Sequence, residues 1–153
     1  VRVFKTAGLI GRLSPGRTSM RRRHEWPDPA AVHAHFAPKR AFANWDARVL
    51  GDYFEAGFEP DPDGGMRLAF RREVETRFYN TLPHHMGPLL RRRPPAAPIA
   101  FVGGTRSVEL RQVGLAATRR LVRDRFVWIE GTHLFPMERP QQTAETVLSL
   151  IEG

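Results

Sequence analysis

Two apolar runs near the C-terminus constrain this chain most. "PIAFVGG" (Pro98–Gly104) is continuously apolar and closed by two glycines, and "FVWI" (Phe126–Ile129) is a second such run inside "DRFVWIEG". Runs this short, without polar alternation, suit strands buried on both faces. Between them, "SVELRQVGLAATRRLV" places Ser107 as an N-cap and offers Leu110, Val113, Leu115 and Ala117 as the apolar surface of a helix. That spacing leaves room for a helical crossover, so it predicts two parallel strands with a right-handed connection. "RPQQTAETVLSLIEG" then reads as a closing helix. In open parallel sheets, sites form outside the carboxyl ends of the strands. Gly103-Gly104-Thr105-Arg106-Ser107 and Gly131-Thr132-His133-Leu134-Phe135 stand at those ends, which makes His133 the first candidate for chemistry.

The residues before Pro98 have a different character. Asp28 ahead of Pro29 predicts a helix start, with Val32 and Phe36 sharing one face. Asp46 is a second N-cap, followed by the stripe Val49, Leu50, Tyr53 and Phe54, and Gly57 suits a left-handed stop. "EPDPDGG" is a turn cluster and "MRLAF" (Met66–Phe70) alternates as a strand does. "RREVETRFYN" predicts a third helix with Val74 and Phe78 aligned toward a core. Trp26, Trp45, Phe36, Phe42 and Phe54 read as core of this part, a minority of them as lining for an apolar substrate pocket. "LPHHMGPLLRRRPPAAP" reads as a loop-like connector. The expected organisation is an arm over 1–20, a small helical region over 21–95 and a β-α-β-α unit over 96–153.

Composition narrows the function. The 153 residues and 41% hydrophobic content suffice for one core, and no apolar run approaches the roughly 20 residues of a membrane span. Without cysteine there is neither disulfide nor thiolate metal site. The N-terminal "VRVFKTAGLIGRLSPG" is weak as a signal peptide, which leaves a cytoplasmic location as the expectation. The net charge of +8 is almost all arginine, since Lys5 and Lys39 are the only lysines. Arg21-Arg22-Arg23 and Arg91-Arg92-Arg93 are short and carry no interleaved aromatics, so a nucleic-acid-binding module is the weakest reading. His33 and His35 face different ways on a helix, and His84 and His85 have no ligand cluster beside them. No metal and no cofactor are therefore expected.

From Pro98 onward the sequence resembles the C-terminal end of the α/β-hydrolase family. There the last strand is followed by a Gly-x-His turn, which "GTHLFPMERP" matches, and Met20–Pro83 looks like the helical cap such enzymes insert before their last strands. The resemblance covers roughly 130 residues. It implies a partial α/β-hydrolase fold, a cap followed by the β-α-β-α unit, and a serine-type hydrolase acting on esters or similar nonpolar substrates. His133 takes the base role by resemblance. Ser107 stands where the family commonly has an Asp, and the candidate acid is Glu109, in the first turn of the helix, or else a residue after an earlier strand, as in some family members, expected outside these residues. Glu138 reads as support for the final helix. The serines are Ser14, Ser19, Ser107 and Ser149, and none lies in a Gly-x-Ser-x-Gly elbow. The nucleophile is thus expected outside these residues. The alternative is a non-catalytic remnant or a partner subunit that needs a separate N-terminal half. Either way, a strand left without a neighbour predicts self-association.

Overall fold

The computed structural model of the chain describes residues 15–83, 86–113 and 115–152. Ser14, His84 and His85 lie outside the described residues. The chain divides into two compact units. One gathers the residues up to Ala43 with Gly51–Met86, the other Asn44–Leu50 with Gly87–Gly153.

The first unit is built on a turn. Asp61 accepts a hydrogen bond at Oδ1 from the Asp63 N–H and one at its carbonyl from the Gly64 N–H, both at 2.9 Å. Gly64 and Gly65 follow with φ of +102° and +85°, a region that glycine alone enters without strain. This turn joins strands β2 (Phe58–Pro60) and β3 (Met66–Leu68), which pair antiparallel. Strand β1 (Glu25–Trp26) adds to the other edge of β3. Strand β1 has only two residues, and β2 ends inside the turn cluster "EPDPDGG". Helix α1 (Pro15–Arg21) precedes them and helix α2 (Pro29–Phe36) follows β1. Asp28 caps α2 as expected, accepting from the Ala31 N–H at 2.7 Å, with Pro29 in the first turn.

The core of this unit is Trp26, Val32, Phe36, Phe58 and Leu68, with Phe42, Tyr53, Phe54 and Met66 packed against it. Several of its rings meet edge-on: Trp26 and Phe58 have centroids 5.4 Å apart at 85°, Phe36 and Phe42 5.5 Å apart at 89°. That geometry sets the positive rim of one ring on the negative face of the next. Each buried apolar side chain contributes about 1.5–3 kcal/mol relative to exposure.

Helix α3 (Ala47–Ala56) starts at Asp46, whose Oδ1 accepts from the Arg48 N–H at 2.9 Å. It ends at Gly57, but not through a left-handed residue, because positive φ among the described glycines is confined to Gly64 and Gly65. Gly57 instead donates to the Tyr53 carbonyl at 2.9 Å and runs straight into β2. A Cβ there would lie 2.4 Å from that carbonyl, so close approach is what demands glycine.

Helix α4 (Arg72–Thr81) turns the predicted face outward. Val74 is 38% and Phe78 63% exposed. Its polar side meets α1 instead: Arg22 pairs with Glu75 at 2.7 Å and Thr76 Oγ1 donates to the Gly16 carbonyl at 3.1 Å. Within the stretch read as an arm, the residues from Pro15 on form helix α1. Its sequence, "PGRTSMR", is small and polar, so a polar face is what it accepts.

In the second unit, the stretch read as a loop-like connector contains helix α5 (Met86–Arg92), with Arg91 and Arg92 in the last turn, where the helix dipole favours cations. Strand β4 (Phe101–Gly104) and strand β5 (Phe126–Ile129) pair in parallel, Phe101 opposite Phe126 and Gly104 opposite Ile129. The crossover between them is two helices, α6 (Val108–Val113) and α7 (Ala116–Val122). A one-turn helix α8 (Phe135–Glu138) and the closing helix α9 (Pro140–Glu152) follow β5. The strands are not buried on both faces. Among the described residues their sheet has two strands, and Trp128 is 39% exposed. Helix α9 likewise leaves Ile151 75% exposed. None of the helices described is long and apolar enough to cross a membrane.

The turn at Gly64-Gly65 separates two costs. Both Gly64→Ala and Gly65→Ala force a left-handed alanine, at about 1 kcal/mol. Only at Gly65 would the new Cβ meet backbone, 2.3 Å from the Trp26 carbonyl, whereas at Gly64 it meets open space. Urea denaturation is expected to rank Gly65→Ala well below Gly64→Ala. Equal midpoints would show that this turn does not anchor β1.

Candidate active site

The parallel ladder of β4 and β5 continues past both strands. The Thr105 N–H donates to the Ile129 carbonyl at 3.0 Å and the Arg106 N–H to the Gly131 carbonyl at 2.8 Å. The two predicted loops are thereby brought side by side. Gly104 makes this contact sterically feasible, since a Cβ there would lie 2.0 Å from the Thr132 carbonyl oxygen. The Ser107 N–H donates back to the Gly104 carbonyl at 3.1 Å, which turns the chain into α6.

The histidine turn is held from behind by Glu138. This carboxylate is buried on α8 and accepts from the Thr132 N–H at 3.0 Å and from Thr132 Oγ1 at 2.5 Å. Arg106 lies 3.8 Å from it and pairs with Glu130 at 2.8 Å. Thr132 Oγ1 also accepts from the Leu134 N–H at 3.1 Å, which closes the turn around His133. Gly131 leaves room for this arrangement, because a Cβ would meet Glu138 Oε2 at 2.8 Å. Glu138 therefore braces the turn that carries His133 rather than the closing helix. The signal in the sequence was a carboxylate six residues after a threonine at a strand end.

His133 meets Ser107 and Glu109. Ser107 Oγ lies 3.2 Å from His133 Nδ1, and Ser107 donates to Glu109 Oε2 at 3.1 Å. Glu109 Oε2 is 3.8 Å from the same Nδ1. Ser107 is also the N-cap of α6, accepting from the Leu110 N–H at 3.3 Å, and is only 2% exposed. The side chains of His133 and Glu109 are more than half exposed. Glu109 is held below the usual carboxylate range, first by its own backbone N–H, against the opposing effect of burial, with smaller contributions from the Ser107 hydroxyl and the His133 charge.

Both oxygens converge on one ring nitrogen. A nucleophile and an acid in a catalytic triad engage opposite nitrogens. Ser107 is thus placed on the acid's side of the ring, not as an attacking group. Among the described residues no hydrogen bond engages Nε2 of His133. The other described histidines of interest stay apart: His35 Nε2 lies 2.7 Å from Lys39 Nζ, and the His33 ring packs 4.6 Å from Phe54.

No protein-family model and no curated protein matches this chain. Solved structures do. The chain is similar to E-2-(acetamidomethylene)succinate hydrolase, with 25% identity and a TM-score of 0.69 over 84% of this chain and 47% of that one. It is also similar to a thioesterase domain from the curacin biosynthetic pathway, with 19% identity and a TM-score of 0.65 over 97% of this chain and 52% of that one. The chain spans about half the length of each. Its fold is α/β-hydrolase-like and covers part of that fold.

Two consequences follow from the carboxylates. Glu138→Ala strands the Thr132 N–H and hydroxyl inside the turn and is expected to cost about 1–3 kcal/mol. Urea denaturation with amide exchange at Thr132 measures this, and an unchanged midpoint would remove Glu138 as the brace. Glu109, depressed in the folded state, contributes stability above the ordinary carboxylate range that is lost as pH falls through its lowered value. Glu109→Gln is expected to flatten the acid limb of the stability profile. A limb as steep as that of the parent would place the acid sensitivity elsewhere.

Proposed function

We propose that these residues are the base-bearing part of a serine-type hydrolase acting on esters or thioesters of small nonpolar acids. The observation that carries this reading is the engagement of His133 Nδ1 by Ser107 and Glu109 at the carboxyl ends of two parallel strands. It gains support from the α/β-hydrolase-like fold and from neighbours named a hydrolase and a thioesterase domain.

In this reading a serine hydroxyl attacks the acyl carbon. His133 Nε2 takes the hydroxyl proton as the carbon–oxygen bond forms. The resulting imidazolium carries its second proton on Nδ1, facing Ser107, with the charge of Glu109 close by. His133 then returns the first proton to the departing alcohol or thiol as the acyl bond breaks. Water repeats the sequence and frees the acid. Glu109 is the acid of this scheme. The serine comes from a Gly-x-Ser-x-Gly elbow, which these 153 residues do not contain. Residues 21–95 are read as the cap of such an enzyme. A fluorophosphonate probe, which labels only an activated serine, tests the scheme. The chain alone is expected to stay unlabelled. Produced together with a polypeptide that carries such an elbow, it is expected to support labelling that His133→Ala lowers by about a hundredfold or more. Labelling that survives His133→Ala, or none in the joined form, would leave a non-catalytic partner as the reading.

A further inference from the structure

We infer that Ser107 is a positioning residue for His133: its hydroxyl, held between the ring and Glu109, fixes the imidazole with Nδ1 protonated and Nε2 open. The inference rests on the base role given to His133 above and adds how that base is kept in the working tautomer.

The argument is a count of hydrogens and lone pairs. A serine hydroxyl has one hydrogen to give and two lone pairs to receive. One lone pair takes the Leu110 N–H at 3.3 Å. The hydrogen goes to Glu109 Oε2 at 3.1 Å, because an ionised carboxylate only accepts. The downward shift of Glu109 keeps it ionised at neutral pH. What remains toward His133 Nδ1, at 3.2 Å, is a lone pair. Nδ1 must therefore be the donor. At 3.8 Å, Glu109 is too far to hydrogen-bond that nitrogen itself.

The opposite arrangement puts the ring hydrogen on Nε2. Ser107 would then turn its only hydrogen to Nδ1 and abandon Glu109. That exchanges a hydrogen bond to a charged acceptor for one to a neutral nitrogen, and the charge-assisted bond is roughly twice as strong. The exposed Glu109 would turn to solvent, but Ser107, at 2% exposure, would keep an idle lone pair that water hardly reaches. Residue by residue, the chain therefore runs Nδ1–H to Ser107, Ser107 O–H to Glu109. When Nε2 accepts a proton, neither bond has to rearrange, and the new charge lies near an existing carboxylate.

The test reads the tautomer and needs no substrate. Long-range proton–nitrogen correlation spectra of the histidine-labelled chain, in alkaline solution where the ring is neutral, distinguish Nδ1–H from Nε2–H. The His133 signals are assigned by their loss in His133→Gln. Nδ1–H is expected to exceed Nε2–H by about tenfold, the difference between a charge-assisted and a neutral hydrogen bond. Ser107→Thr keeps a hydroxyl and is expected to keep the excess, whereas Ser107→Ala loses it. Glu109→Ala alters an exposed side chain, leaves the fold alone and is expected to bring the two forms near equality. It decides the matter if Ser107→Ala fails to fold. An Nε2–H majority in the parent chain, or an Nδ1–H excess that survives Glu109→Ala, overturns the inference. The fluorophosphonate result is independent: the expected tautomer without His133-dependent labelling sinks the hydrolase reading and leaves the relay. A mixed tautomer with such labelling does the reverse.

Discussion

The register that sets Gly104 beside Ile129 is the constraint on which the site depends. It aligns the ends of two parallel strands, so the loops that leave them must share one small space. The ladder then runs two further hydrogen bonds into those loops, from Thr105 and Arg106. Backbone contact this close excludes a side chain at Gly104. Everything that reaches His133 comes from this closeness: Ser107 from the turn after β4, Glu109 from the first turn of α6, and Thr132 from the turn after β5. A slip of the pairing by one residue would invert every side chain on the slipped strand relative to its partner and separate the three.

The elements that were legible in the sequence are those with strong local chemistry. Two continuous apolar runs predicted the parallel strands, and an aspartate before a proline predicted the start of α2. Ser107 was legible as a cap because its spacing to the apolar positions of α6 is that of a helix start. The strands β1 and β2 were not: β1 has only two residues, and β2 ends inside "EPDPDGG", whose prolines and glycines read as a turn. Val74 and Phe78 misled for a different reason. Their spacing describes one face of α4 correctly, but the partner helix α1 is polar, and a helix buries whichever face its neighbour can accept. At Gly57 the residue was read correctly and its reason was not, because positive φ and close approach both select glycine.

Of the proposed site the sequence offered residues and not connections. His133 was singled out by the strand–turn–helix pattern and Glu109 by the family resemblance, without the serine that stands between them. Glu109 lies two residues beyond Ser107 in sequence, and in space the hydroxyl of Ser107 bridges it to the ring of His133. A one-hydrogen, two-lone-pair group is suited to that, since it donates toward the carboxylate and accepts from the ring at once.

Glu109 and Glu138 show how environment divides work between two carboxylates that lie on either side of one histidine turn. Glu138 is buried and spends its oxygens on the backbone and hydroxyl of Thr132, so its contribution is to shape. Its removal leaves donors that water cannot readily reach. Glu109 is exposed, and its nearest cation-forming neighbour is the ring of His133. An exposed charge at this distance is screened, so its direct pull on the ring is modest. The hydroxyl changes this, because a hydrogen bond is directional where a screened charge is not. The buried serine therefore conveys an orientation that the exposed carboxylate alone could not impose, and the brace at Glu138 keeps the ring within reach of it.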